Sequence, residues 1–169
     1  MKTRTAESTK AIMTEIVLPN DTNTLGNLMG GRLLHLMDIC SAISAHRCSK
    51  RIVVTASVNN VSFSSPIKLG DIITIESKVT RTFNSSMEVF IEVFVEDHRT
   101  GKKTLSNNAY YTFVAVDQMG TPIEVPDVDP ESEDEKKQFE GALRRRQLSL
   151  ILAGKMKPGD ATELKKLFD

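Results

Sequence analysis

From Ile52 to Val116 the residues alternate in period two, and this limits the fold more than any other feature. Ile73, Ile75 and Val79 alternate with Thr74, Glu76, Lys78 and Thr80. Val89, Ile91, Val93 and Val95 share one side of the next run, with Glu88, Glu92 and Glu96 opposite. Strands are expected over 52–63, 72–81, 87–96 and 105–116. Short breaks separate them: Ser-Ser-Pro at 64–66 with Leu69-Gly70-Asp71, then Asn84-Ser85-Ser86, then His98-Arg99-Thr100-Gly101. Connections this short join antiparallel neighbours, because a parallel pair needs a crossover of a dozen or more residues.

Ahead of this region stands a segment of a different period. A β-branched run, 11–18, reads as one more strand, stopped by Pro19-Asn20-Asp21. Residues 22–31 are a loop with Gly26, Gly30 and Gly31. The spacing then predicts a helix over 33–45, with Leu33, Leu36, Met37, Cys40, Ile43 and Ser44 on one stripe. The opposite side, Leu34, Ser41, Ala42 and Ala45, is also small or apolar, so the helix is expected to be buried. Arg47 and Lys50 follow at its C-terminal end, where cations suit the helix dipole. One buried helix with four or five long antiparallel strands makes an α+β fold, a sheet wrapped round the helix. A single helix leaves one sheet face uncovered, so the cover is expected to come from oligomerisation.

After Pro126 a helical extension starts with acids, from Glu131 to Glu135, and turns basic at Arg144-Arg145-Arg146. This polarity suits a helix dipole. A short helical tail follows Lys157-Pro158-Gly159-Asp160. Residues 1–10 are polar and expected to be flexible.

Lys+Arg and Asp+Glu are both 22 in the 169 residues, so no net charge draws the protein to nucleic acid or an anionic membrane. The Arg144–Arg146 run lacks a second basic cluster and is expected to be a solvated helix end. Two cysteines and three histidines do not supply a four-ligand zinc site, and no metal is expected. No run approaches about 18 apolar residues, so no membrane span is expected. The N-terminus has no apolar core of a signal peptide, which suggests a cytoplasmic protein with reduced thiols. Cys40 and Cys48 are expected to be buried and inert.

Asp38 stands inside the apolar helix, between Met37 and Ile39. It is either a solvated residue on an outward strip with His35, or a carboxylate lining a site as general base or nucleophile. Asn27-Leu28-Met29-Gly30-Gly31 opens the same helix. Free N–H groups at a helix N-terminus carry partial positive charge and suit an anion or a developing oxyanion. No Gly-Lys-Ser/Thr closes this loop, so it is not a P-loop. His35, His46 and His98 show no spacing of a catalytic triad or a metal site, and no catalytic role is expected of them.

The run Asn27 to Asp38, then Val53-Val54-Thr55-Ala56-Ser57-Val58, Phe63, Pro66, Gly70-Asp71 and 111–117, together resemble the hotdog-fold acyl-CoA thioesterases. The likeness is to the cytosolic acyl-CoA hydrolase branch, with its bacterial short forms and double-domain animal forms, and covers roughly 11–147. It implies a hotdog domain over 11–126, a curved antiparallel sheet round a central helix, and a C-terminal helical extension over 127–169. It implies hydrolysis of fatty acyl-CoA to free fatty acid and CoA, with no further cofactor. It also implies a homodimer paired edge to edge and assembled as a trimer of dimers.

Asp38 aligns with the family's catalytic aspartate, and Asn27 with a position that is asparagine in some members and acidic in others. The resemblance thus puts the thioester carbonyl against the N–H of Gly31, with Gly30 beside it. Asp38 of the partner protomer then activates water or attacks, and Asn27 positions water or carbonyl. Arg47, Lys50, Lys68 and Arg81 are candidates for the CoA phosphates, and Asn84, Ser85 and Ser86 for the border of the pantetheine arm. Two rivals stand beside this: a non-catalytic acyl-CoA-binding or sensing hotdog module, and a hotdog dehydratase with a His/acid pair.

Overall fold

The central helix touches all five strands of one sheet, and that contact dictates the curvature. In the computed structural model, which describes residues 1–59, 61–63 and 65–169, the strands are β1 (Arg4–Thr5), β2 (Ala11–Ile16), β3 (Ile52–Asn59), β4 (Ile72–Thr82), β5 (Ser86–Glu96), β6 (Lys103–Val116) and β7 (Val128–Asp129). The helices are α1 (Gly30–Ser49), α2 (Glu133–Leu152) and α3 (Thr162–Lys165). The main sheet is antiparallel in the order β2-β4-β5-β6-β3. Laid flat, five strands span about 19 Å, beyond the reach of one helix about 10 Å across. Yet α1 packs on β2, β3, β4, β5 and β6. The sheet therefore curls round it.

Alternation supplies the inner wall. Ile73, Ile75 and Val79 of β4, Met87, Val89, Ile91 and Val93 of β5, and Ala109, Tyr111, Phe113 and Ala115 of β6 are buried. They meet Leu33, Leu36, Met37, Cys40, Ala45 and Cys48 of α1. Ser44 and Ser77 of this interior are paired: Ser77 Oγ lies 2.6 Å from Ser44 Oγ and donates to the Cys40 carbonyl at 2.8 Å, whereas the buried Ser41 hydroxyl has no partner among the described residues. Both cysteines are free and buried. Burial pushes the Cys48 thiol up to about 11 and raises that of Cys40, which makes both poor nucleophiles.

The outer face departs from expectation. α2 lies across it, so part of the cover expected from other protomers comes from the chain itself. Arg145 is no solvated helix end. Its guanidinium lies 4.0 Å from the Tyr110 ring centre, and its Nε and Nη2 donate to the Glu88 carboxylate at 3.0 and 2.8 Å. Arg146 covers the Phe83 ring in the same way. The reason is that a planar guanidinium can stack on a ring while satisfying a buried acid. Ser132 and Glu135 form a reciprocal cap at the start of α2.

The first ten residues also differ from the flexible segment expected. β1 pairs with β7, and Ala6 and Thr9 are buried. Thr9 Oγ1 accepts from the Val79 N–H at 2.9 Å. A short polar segment is thus tied down by pairing that local sequence does not announce. β3 ends at Asn59, short of the strand expected to 63; Asn60 and Ser64, which that strand and the following break included, lie outside the described residues. β3 is an edge strand with Ile52, Val54 and Val58 exposed. Among the described residues no helix is long and apolar enough to cross a membrane.

Candidate active site on the open face of the central helix

The helix begins without a side-chain cap. Met29 is the N-cap residue and supplies none. The N–H groups of Gly30 and Gly31 have no acceptor among the described residues. The preceding loop is held from within. Asn23 Oδ1 accepts from Leu25 N–H at 2.9 Å and Asn27 N–H at 3.1 Å, and Gly26 takes a left-handed φ of 76° to complete the turn. Asp21 pairs with Arg32 at 3.0 Å and its carbonyl accepts from Met29 N–H at 2.9 Å.

The two glycines differ. A Cβ on Gly30 would stand 3.3 Å from the Phe63 ring, whereas a Cβ on Gly31 would meet nothing within 4 Å. Gly30 is small so that Phe63 can close over it. Gly31 is exposed, and the space beside its Cα is open, so a ligand can approach the backbone there.

Asp38 is half-buried and leans on β3. Thr55 Oγ1 donates to its Oδ1 at 2.7 Å, the one donor to this carboxylate among the described residues. Gly31, His35 and Asp38 follow one another at i, i+4 and i+7 along α1. All three line a cavity of about 560 Å³, walled by Leu34, Val58, Val61, Phe63 and Tyr111. The Tyr111 hydroxyl donates to the Leu34 carbonyl at 3.0 Å. Burial, with the Asp38 charge nearby, pushes that phenol up to about 12, so it stays neutral. Across Phe63 lies a second cavity of about 320 Å³, lined by Asn23, Asn27, Gly30, Ser106 and Asn107 among others.

One protomer brings Gly31 and Asp38 to one cavity but not to one atom. Seven residues of helix separate them by about 10 Å. Within one helix no carbonyl group is in direct contact with both.

The candidate CoA ligands are scattered. Lys68 is exposed and bridges to Asn27 through the backbone. Arg47 donates to the Lys10 carbonyl near the far end of α1. Arg81 is on the outer face, stacked 4.0 Å from the Phe139 ring centre and bonded to the Phe139 carbonyl at 3.2 Å. These contacts engage part of its guanidinium within the chain. Ser86 is likewise taken, accepting from Arg146 Nη1 at 3.1 Å. Asn84 and Ser85 sit in the β4–β5 turn, where their carbonyls accept from Val125 and Ala115. Lys50 is the exposed left-handed C-cap of α1. Asp71, Asp97 and His98 also lie close together, but Asp71 is engaged with His98 Nδ1 at 2.8 Å and the Lys68 N–H at 3.0 Å as a loop tether. Thr55 was missed by sequence reasoning, since only strand pairing brings it to Asp38. Asn23 was missed too, although an Asn ahead of a Gly-Asn turn is a usable signal.

A family model described as thioesterase superfamily matches residues 25–102. An uncharacterised acyl-CoA thioester hydrolase of Bacillus subtilis is 41% identical over 144 residues, 85% of this chain and 84% of that protein. An apo-hexameric acyl-CoA thioesterase superposes with a TM-score of 0.86 at 38% identity, covering 90% of this chain and 98% of the other. The Staphylococcus aureus acyl-CoA hydrolase, solved with butyryl coenzyme A, coenzyme A and coenzyme A disulfide, gives 0.83 at 35% identity, over 90% and 95%. That hydrolase has also been solved with an aspartate, an asparagine or a threonine replaced by alanine. Its asparagine precedes the aspartate by fifteen positions and its threonine follows it by seventeen.

Proposed function

Because the chain belongs to the thioesterase superfamily, we propose that it hydrolyses fatty acyl-CoA thioesters to free fatty acid and CoA, at sites that two protomers build together. One observation carries the reading. A carboxylate with one oxygen fixed by Thr55 and the other without a donor among the described residues lines the same cavity as a helix N-terminal amide without an acceptor among them.

The thioester oxygen sits against the Gly31 N–H, where the helix dipole stabilises the charge that develops on it. Asp38 of the partner protomer activates water or attacks the acyl carbon itself. Thr55 holds that carboxylate in register. The aspartate, asparagine and threonine replaced in the Staphylococcus aureus hydrolase have the residue types and spacing of Asp38, Asn23 and Thr55. This favours Asn23 beside Asn27 as the amide near the carbonyl; both line the cavity next to Gly30. The route passes through no metal or other cofactor.

The exposed edge of β3 supports pairing into a continuous dimer sheet, and the hexameric neighbours support a trimer of dimers. Residues 11–126 form the thioesterase unit and 127–169 its helical extension. Two buried reduced thiols suit the cytoplasm. Of the anionic-group candidates, Lys68 alone adjoins the Asn27 loop with an exposed side chain. A non-catalytic binding module is disfavoured, since a pure binder has no use for an Asp38 held this way.

The test is release of free thiol from octanoyl-CoA and palmitoyl-CoA, followed with a thiol reagent. The protein is expected to release CoA, and Asp38→Ala to lose about 10²–10³ in turnover while keeping its oligomer. Unchanged turnover in that variant removes the assignment.

A further inference from the structure

His35 was set aside in the sequence because its spacing fits no triad. The structure returns it to the site. It is exposed, it lines the cavity with Gly31 and Asp38, and it stands on the same helix stripe between them. Residues three and four apart on a helix face are neighbours, about 5–6 Å between Cβ atoms, so His35 adjoins both. We propose that the His35 imidazolium is the acid that protonates the departing CoA sulfur. This rests on the two-protomer thioesterase reading above.

The argument follows from register. If Gly31 of one protomer faces the partner's Asp38, symmetry makes Asp38 face the partner's Gly31. Two antiparallel helices in that register have their midpoint between Leu34 and His35. The two His35 side chains then lie beside the two-fold axis, one turn inward from each reacting carbon. The titratable groups facing this space are His35 and Asp38 from α1 and Tyr111 from β6. The Tyr111 hydroxyl is committed to Leu34 and burial pushes that phenol up, which leaves the imidazole as the side chain placed to hand on a proton among the described residues that line the cavity.

The proton balance is complete. Asp38 takes a proton from water as the water oxygen bonds to the acyl carbon. The C–S bond breaks, its electron pair goes to sulfur, and His35 gives its proton there. The proton on Asp38 then passes to His35, restoring both groups. Water and thioester have become acid and thiol.

The experiment compares two leaving groups in the full-length protein: octanoyl-CoA and the octanoyl ester of 4-nitrothiophenol, whose thiol is far more acidic and leaves without a proton. His35→Gln and His35→Asn are each expected to lower turnover of octanoyl-CoA at least about tenfold. The same variants are expected to leave the nitrothiophenyl ester unchanged, and gel filtration should give the wild-type size. An equal loss on both substrates marks a merely structural role and overturns the proposal, as does no loss on octanoyl-CoA. Asp38→Asn is measured alongside. If it keeps full turnover, the two-protomer reading itself has failed; if it is inactive while the His35 variants show no leaving-group dependence, only the role of His35 has.

Discussion

Two carboxylates in this protein each accept a hydrogen bond from a threonine, and their surroundings differ in every other respect. Glu88, under α2, is almost wholly buried; Thr80 donates to it at 2.6 Å and Arg145 binds both its oxygens. Asp38, beside β3, is half-buried, has Thr55 as its one donor among the described residues, and faces an open cavity. A carboxylate with both oxygens bonded to an arginine holds elements together. One that is fixed through a single oxygen beside free space is available for chemistry. Charge and residue type do not separate the two; the number of partners does.

Exchanging the losses sharpens this contrast. Glu88→Ala leaves the half-buried Arg145 without its acid and is expected to cost about 2–3 kcal/mol of stability, read by urea denaturation, with turnover per folded molecule unchanged. Asp38→Asn should do the reverse: urea midpoints near wild type, and thiol release reduced about 10²–10³-fold. If Glu88→Ala were stable but inactive, the two roles would have been assigned the wrong way round. Thr55→Val removes the fixing bond without touching the carboxylate. Turnover should fall about tenfold, equivalent to about 1.4 kcal/mol, with KM little moved.

The smallest effect concerns a third carboxylate, Glu7, which Lys78 bonds at 2.8 Å in the seam between the N-terminus and the sheet. The Lys78 hydrogen bond holds the Glu7 carboxyl below its usual range, while burial works against it. A depressed carboxyl contributes stability above its unfolded pKa and loses it as pH falls through the folded value. The wild type should therefore lose slightly more Tm than Lys78→Met between neutral pH and about pH 3–4, by well under 1 kcal/mol for so exposed a pair. Equal losses in both would remove the seam from the stability account.

Much of the frame was legible in the residues. The alternation at 72–81 and 87–96 fixed which side chains face inward, because successive residues of a strand point to opposite faces. The all-round apolar character of 33–45 predicted a buried helix, and the glycine pair with Asp38 marked the stretch of it that borders the open cavity. Arg145 was misread as a solvated helix end, and the intrachain partners of Arg81 and Ser86 were not foreseen, for one reason. Each is polar on an outward strand or helix position, and local pattern cannot show that α2 folds back over that face. Thr55 and His35 were passed over for a related reason: a threonine in a strand and a histidine on a helix are ordinary until a neighbour is known.

Local sequence thus determined the elements, their inward faces and the likeness to a hydrolase family, since these depend on periodicity and on residues close along the chain. The tertiary structure alone decided which of the acids was saturated and which was left free. Hydrogen-bond partners such as Thr55 for Asp38, or Arg145 for Glu88, lie 17 and 57 residues away, and only the closed fold brings them within 3 Å.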